Sequence, residues 1–193
     1  MRKTLEFFYD YVSAYSYLAN SQVDKLDAEI VYRPMFLGAV MRATGNSPPK
    51  TVKAKGDYLD QDIARWVDRY SIPFTMNPVF PQNTVNALRL AIVAQQEGYF
   101  DVVHQALFDA MWVEQKDLSD ADCLADIARS AGMPESSLVK IGRDSIKDEL
   151  RANTDEAIAR GAFGAPTFYI GDEMFFGNDR FEFIRESLQG RPA

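Results

Sequence analysis

The sequence predicts an α/β chain in which a βαβ unit at the start and an α-ββ-α segment at the end enclose a block of helices. Three observations carry this. Two β-prone runs, Leu5-Glu6-Phe7-Phe8-Tyr9 and Ala28-Glu29-Ile30-Val31-Tyr32-Arg33-Pro34, bracket a stretch of helical periodicity. A long middle region then repeats its apolar residues at helical spacing. Near the end, two short runs flank Gly171-Asp172 in the manner of a hairpin.

The first run is aromatic and apolar, which suits a buried strand, and Asp10 to Ser13 break it. From Ala14, the residues Tyr15, Leu18, Ala19, Val23 and Leu26 recur at helical spacing, with Ser13 in the N-cap position. Pro34 stops the second run. Strand, helix and strand in about 30 residues form a parallel, right-handed unit. Thr44-Gly45-Asn46-Ser47-Pro48-Pro49 is a loop of turn formers.

In the middle region, Leu59, Ile63, Trp66, Val67 and Tyr70 share one helical face. Leu88, Ala91 and Ile92 mark a second helix, and Val103, Leu107 and Met111 a third. Ser119 with Asp122 resembles a capping box before Leu124, Ile127 and Ala128. Gly132 ends that helix, and Pro134 suits the first turn of the next. A further helix runs from Ser145 to about Arg160, with Gly161 as its stop. Pro166–Ile170 and Glu173–Phe176 make the hairpin, and Asp179 to Leu188 the last helix.

The 193 residues fit one domain, or one domain carrying a large insertion. Hydrophobic residues make up 47% and charged residues 25%, as in an ordinary folded chain. A net charge of −7 argues against nucleic acid or an anionic membrane as the main partner, since both need a basic face. The N-terminal residues do not read as a signal peptide, and no apolar run approaches membrane-spanning length. The single cysteine, Cys123, cannot close an internal disulfide. Together these point to a reducing, cytoplasmic setting.

Four places could carry chemistry. Ser13, with Tyr15 and Ser16, sits at the mouth of the first helix, where unsatisfied N–H groups and the helix dipole stabilise an anion such as a thiolate. By itself Ser13 reads as a helix cap. Phe163-Gly164-Ala165-Pro166-Thr167-Phe168 opens a strand on a proline compatible with a cis peptide, which would leave the Ala165 backbone free to pair with a peptide-like ligand. Asn178 or Asp179 caps the last helix, or else the Asp179 carboxylate and the helix N–H groups bind an amino-acid head. Gly45-Asn46 is a turn, and together with Lys53 and Lys55 could hold anionic groups. One histidine, His104, cannot build a triad or a histidine-rich zinc site without unusual partners. Cys123, Trp66 and Trp112 read as packing residues.

The order of these blocks carries more than any one of them. Phe8-Tyr9-Asp10-Tyr11-Val12-Ser13-Ala14-Tyr15-Ser16-Tyr17-Leu18-Ala19 resembles the opening of the kappa-class glutathione transferases and 2-hydroxychromene-2-carboxylate isomerases, which usually read D-x-x-S-P-Y-S-[YW]-L. The Gly45–Pro49, Gly161–Phe168 and Phe176–Arg180 blocks resemble the next three, so the resemblance spans nearly the whole chain. It implies a thioredoxin-like fold with an inserted all-helical domain: residues 1–45 and 145–193 form the discontinuous thioredoxin-like domain and 46–144 the insert.

The resemblance further implies a glutathione-dependent enzyme. Ser13 would hold the glutathione sulfur, Asn46 would contact glutathione, and Ala165 would pair with its cysteinyl part beside a cis Pro166. Asn178 and Asp179 would bind the γ-glutamyl end, and Lys55 the glycyl carboxylate. The isomerase branch is closer, on Asp57-Tyr58-Leu59, Asp62, Arg65-Trp66 and Tyr70-Ser71-Ile72-Pro73-Phe74. Tyr15, Asn83 and Asn86 would then face a flat aromatic carboxylate substrate, and the protein would be a homodimer. One departure is Ala14, where the family usually has proline. The rival readings are a transferase acting on other electrophiles and a non-catalytic glutathione- or peptide-binding module. Disulfide oxidoreduction is disfavoured, because no Cys-x-x-Cys is present.

Overall fold

The computed structural model describes residues 2–190, so Met1 and 191–193, the outermost residues of the expected discontinuous domain, lie outside it. Its sheet is built on β1 (Lys3–Tyr9), followed by α1 (Ala14–Val23) and β2 (Ala28–Pro34). β1 and β2 run parallel, with Phe7 opposite Tyr32, as the βαβ reading requires. β3 (Thr167–Ile170) lies antiparallel on the other side of β1, and β4 (Glu173–Phe176) pairs antiparallel with β3. The strand order is β2-β1-β3-β4.

Because strand side chains alternate, β1 feeds two cores. Leu5, Phe7 and Tyr9 enter the larger one, where the Phe7 and Phe168 rings stack with centroids 4.8 Å apart. Phe8 enters a smaller one with Met35, Val40, Ala157 and Tyr169. Full burial of each such ring is worth about 1.5–3 kcal/mol, which makes β1 the most strongly specified strand.

Helices fill the chain between β2 and β3: α2 (Leu37–Thr44), α3 (Lys53–Tyr70), α4 (Val85–Glu97), α5 (Phe100–Trp112), α6 (Ala121–Ser130), α7 (Glu135–Lys140) and α8 (Asp144–Ala159). A short 3₁₀ turn, Pro49–Thr51, leads into α3, and α9 (Phe181–Leu188) closes the described chain.

Several local expectations are corrected. α1 ends at Val23; Leu26 lies beyond it in a turn, although it is buried as a core residue should be. α2 has no counterpart in the sequence reading. No side chain caps it locally; the N–H of Leu37 is instead met by the Asp10 carboxylate at 2.9 Å, across 27 residues. The cap of α6 is Asp120, which accepts from the Asp122 N–H, while the Ser119 hydroxyl is held by Asp117. Pro134 is the N-cap of α7 rather than part of its first turn. α9 begins at Phe181 behind Arg180, so neither Asn178 nor Asp179 caps it. Trp112 is fully buried, but Trp66 is only half-buried and lines a cavity.

Candidate active site

Ser13 is the N-cap of α1: its Oγ accepts from the Ser16 N–H at 3.1 Å. The same Oγ donates to the Ala165 carbonyl at 2.9 Å, across 152 residues. A hydroxyl has one proton, so this donor can be turned toward a ligand only by releasing Ala165. Among the described residues, the N–H groups of Ala14 and Tyr15 meet no acceptor, as is usual in the first turn of a helix. Ala14 therefore offers a donor that proline at this position would lack. Ser16 contributes its backbone; its own hydroxyl is buried with no partner.

The Ala165–Pro166 peptide is cis. Ala165 is only 9% exposed, and its carbonyl is engaged by Ser13, so the expectation of a wholly free Ala165 backbone is corrected. Its N–H meets no acceptor among the described residues. Two contacts draw the other blocks to this point. Gly177 N–H donates to the Pro166 carbonyl at 3.0 Å, which sets Asn178 and Asp179 beside the proline. Asn46 Nδ2 donates to the Phe163 carbonyl at 2.8 Å, and its Oδ1 accepts from the Ser47 N–H.

Asn178 is 2% exposed, and its Nδ2 has no partner, while its carbonyl accepts from the Tyr70 hydroxyl at 3.0 Å. Asp179 pairs with Arg180 at 2.5 Å. The Tyr15 hydroxyl donates to Asp62 on α3 at 2.8 Å; its own partial burial and that carboxylate push the phenol well above its ordinary range.

The helical region is tied to the Ser13 loop by Asp10, which is fully buried. Its carboxylate accepts from the N–H groups of Val12 and Leu37 and from the Thr84 hydroxyl, the last at 2.6 Å. Its carbonyl accepts from the Ser13 N–H at 3.0 Å. Burial raises the Asp10 carboxyl, and the three donors partly offset this. Thr84 precedes α4, so Asp10 anchors the start of that helix, where Asn83 and Asn86 are both exposed. Asn83 Oδ1 accepts from the Val85 N–H, and Asn86 Oδ1 from Arg89. Trp112 Nε1 donates to the Tyr11 carbonyl at 2.9 Å and braces the same loop. Beneath it, the Tyr11 hydroxyl bonds His104 Nδ1, and His104 Nε2 bonds Asn20 Oδ1. Since that oxygen only accepts, Nε2 carries the proton. Burial lowers the His104 pKa to about 3, so the ring is neutral.

The family model of the DSBA-like thioredoxin domain matches residues 4–189. The chain belongs to the DSBA-like thioredoxin family. It is 35% identical to a 2-hydroxychromene-2-carboxylate isomerase of Pseudomonas putida, over 97% of this chain and 94% of that protein. It is 29% identical to glutathione S-transferase kappa 1 of Rattus norvegicus, over 94% of this chain and 89% of that one. A solved 2-hydroxychromene-2-carboxylate isomerase structure matches with a TM-score of 0.86 at 29% identity, covering 97% of this chain and 94% of the other. As a member of the DSBA-like thioredoxin family, the chain carries Ser13 at the start of α1 and has its one cysteine, Cys123, on α6, half-buried against the core.

Of the residues singled out in the sequence, the structure links Ser13, Ala165, Pro166, Asn178, Asp179 and, through Phe163, Asn46. Tyr15, two residues from Ser13 on α1, bonds Asp62, whereas Asn83 and Asn86 make only local hydrogen bonds among the described residues, to Val85 and Arg89. Lys55 lies exposed in the first turn of α3, and among the described residues no hydrogen bond or ion pair ties it to the others. Reading the sequence missed Asp10, Thr84 and Asp62 as site-building groups. For Asp10 there was one signal: an acid two residues before a backbone N–H, at a strand end, is a ready Asx turn.

Proposed function

We propose that the chain is a glutathione-dependent isomerase that converts 2-hydroxychromene-2-carboxylate to trans-o-hydroxybenzylidenepyruvate. The observation that carries the reading is the Ser13 hydroxyl at the N-terminus of α1, facing Ala165 beside the cis proline. The structure fits the thiol in three respects. Unpaired N–H groups at Ala14 and Tyr15 suit an anionic sulfur, the free Ala165 N–H suits a peptide carbonyl, and the buried Asn178 Nδ2 lacks an acceptor.

Bound glutathione supplies a nucleophilic sulfur that adds reversibly to a conjugated double bond, so that the bond can rotate before it reforms. This chain's residues do the rest. The Ser13 hydroxyl swings from the Ala165 carbonyl and donates to the sulfur anion, with the α1 N–H groups adding to it. Ala165 pairs its backbone with the cysteinyl part, and Asn178 with Asp179 receives the γ-glutamyl end. Asn46 holds its loop against Phe163 and turns its second amide hydrogen to the ligand. Lys55 lies near the glycyl carboxylate. Tyr15 from α1, with Asn83 and Asn86 from the helical region 46–144, bounds the flat aromatic carboxylate. The enzyme works as a cytoplasmic homodimer in aromatic catabolism.

Purified protein assayed on the chromene carboxylate with and without glutathione tests this. Turnover that requires glutathione supports it, and turnover indifferent to glutathione refutes it. The second reading, a kappa-like transferase acting on other electrophiles, is favoured by the 29% identity to the rat kappa transferase. Conjugation of a generic electrophile without isomerisation of the chromene would establish that reading instead.

A further inference from the structure

Thr84 stands in the N-cap position of α4, and its carbonyl accepts the Leu88 N–H at 2.9 Å. A threonine in this position ordinarily turns its hydroxyl onto its own helix, capping an N–H two or three residues on, from an extended backbone. Thr84 does neither. Its backbone, at φ −91° and ψ 5°, is not extended, and its side chain makes no cap bond among the described residues. The hydroxyl donates instead to the Asp10 carboxylate at 2.6 Å, 74 residues away. Both side chains are fully buried. A local rule set aside for a distant contact is the kind of departure that gathers at functional sites.

The distant contact falls on the residue that sets the Ser13 loop. Asp10 Oδ1 accepts from the Val12 N–H at 3.1 Å, and the Asp10 carbonyl from the Ser13 N–H at 3.0 Å. The backbone between the end of β1 and the start of α1 therefore follows Asp10. Asp10 Oδ2 takes the Leu37 N–H at the start of α2. The starts of α1, α2 and α4 thus converge on this one residue. Among the described residues, Thr84 is the one side chain that donates to it, and it comes from the helical region. That region adds a second tie through Trp112 Nε1, which holds the Tyr11 carbonyl at 2.9 Å.

The Ser13 Oγ accepts from the Ser16 N–H and gives its proton to Ala165. Turning about the Cβ–Oγ bond redirects that proton without moving the oxygen. The direction in which the proton can meet a sulfur is then set by where the oxygen already sits, and so by Asp10 and whatever clamps it. Resting on the glutathione-dependent function proposed above, we infer that Thr84 is a positioning residue for Ser13, acting through Asp10. The helical region thereby aims the group that meets the thiol, besides bounding the substrate.

Ultraviolet titration of glutathione bound to the full chain, with urea unfolding and steady-state kinetics beside it, tests this. Thr84→Val keeps the shape of the side chain and removes the hydroxyl. It should raise the bound thiol pKa by about one unit and cut kcat about tenfold, while the KM for glutathione changes less than about twofold. Thr84→Ala removes the hydroxyl without setting a methyl against the carboxylate, and should shift both quantities the same way. Thr84→Ser returns the hydroxyl and should restore both. A merely structural residue would lower the urea midpoint and leave the thiol pKa alone. A lowered thiol pKa in the unaltered protein that persists in Thr84→Val and Thr84→Ala overturns this inference and spares the proposed function. An unaltered protein that fails to bind glutathione, or binds it at its ordinary pKa, overturns both.

Discussion

Replacing Ser13 by Ala removes three things at once. The first is the cap on the Ser16 N–H, worth about 1 kcal/mol. The second is the bond to the Ala165 carbonyl, worth about 1 kcal/mol net between uncharged groups. These losses belong to the free protein, so the variant should unfold about 2 kcal/mol more easily, with an unchanged denaturant slope. The third loss appears only with the thiol bound. A hydroxyl donating to a thiolate is a charged hydrogen bond of about 1.5–3 kcal/mol, so its removal should raise the pKa of the bound thiol by about 1–2 units. Urea unfolding measures the first two losses, and ultraviolet titration of the bound thiolate measures the third. Ser13→Thr keeps both hydroxyl and cap and should restore the thiol pKa. If Ser13→Ala lowers stability but leaves the thiol pKa and the pH–rate profile where they were, Ser13 is a helix cap and nothing more.

Three other outcomes follow from the same geometry. Ala14→Pro should leave the fold intact, because proline is tolerated at the first helical position, but it removes one unpaired N–H and should raise the bound thiol pKa in the titration above. Asp10→Asn puts an NH₂ against one of three donors and should cost about 2–3 kcal/mol by urea unfolding, with Thr84→Val costing less. His104 is held neutral, with its pKa lowered to about 3 from 6.5, so the unfolded chain takes up a proton at a pH where the native chain does not. Its contribution is fully present above pH 6.5 and is lost as pH falls from there toward 3. Unfolding midpoints should therefore decline with pH below 6.5, before most carboxylates titrate, and His104→Gln should flatten that decline.

The sequence disclosed those parts of the molecule whose causes are local. β1 and β2 show as aromatic and β-branched runs, α1 as a periodic stretch behind a capping serine, and the hairpin as two runs around Gly171-Asp172. What it withheld depends on contacts distant in the chain. α2 is invisible locally because Asp10 caps its first N–H from 27 residues away. The starts of α6 and α9 were misplaced by a residue or two because several adjacent polar residues can each cap a helix, and only tertiary packing chooses among them. The site was legible as an ordered set of motifs, not as a geometry. Nothing in the local pattern tells that the Ser13 hydroxyl spends its proton on Ala165, or that Gly177 is bonded to Pro166. Trp66 was read as core because helical spacing marks the inward face without saying whether a neighbour covers it; here a cavity does not.

The pKa of the glutathione thiol bound to the unaltered protein bears most directly on the account. An ordinary thiol titrates near 8.5, and a thiol held by a hydroxyl at a helix N-terminus should titrate at least about one unit lower. Thiolate absorbance that rises at that lower pH, and only with protein present, is the predicted result. Glutathione that fails to bind, or that binds with its ordinary pKa, would contradict the account.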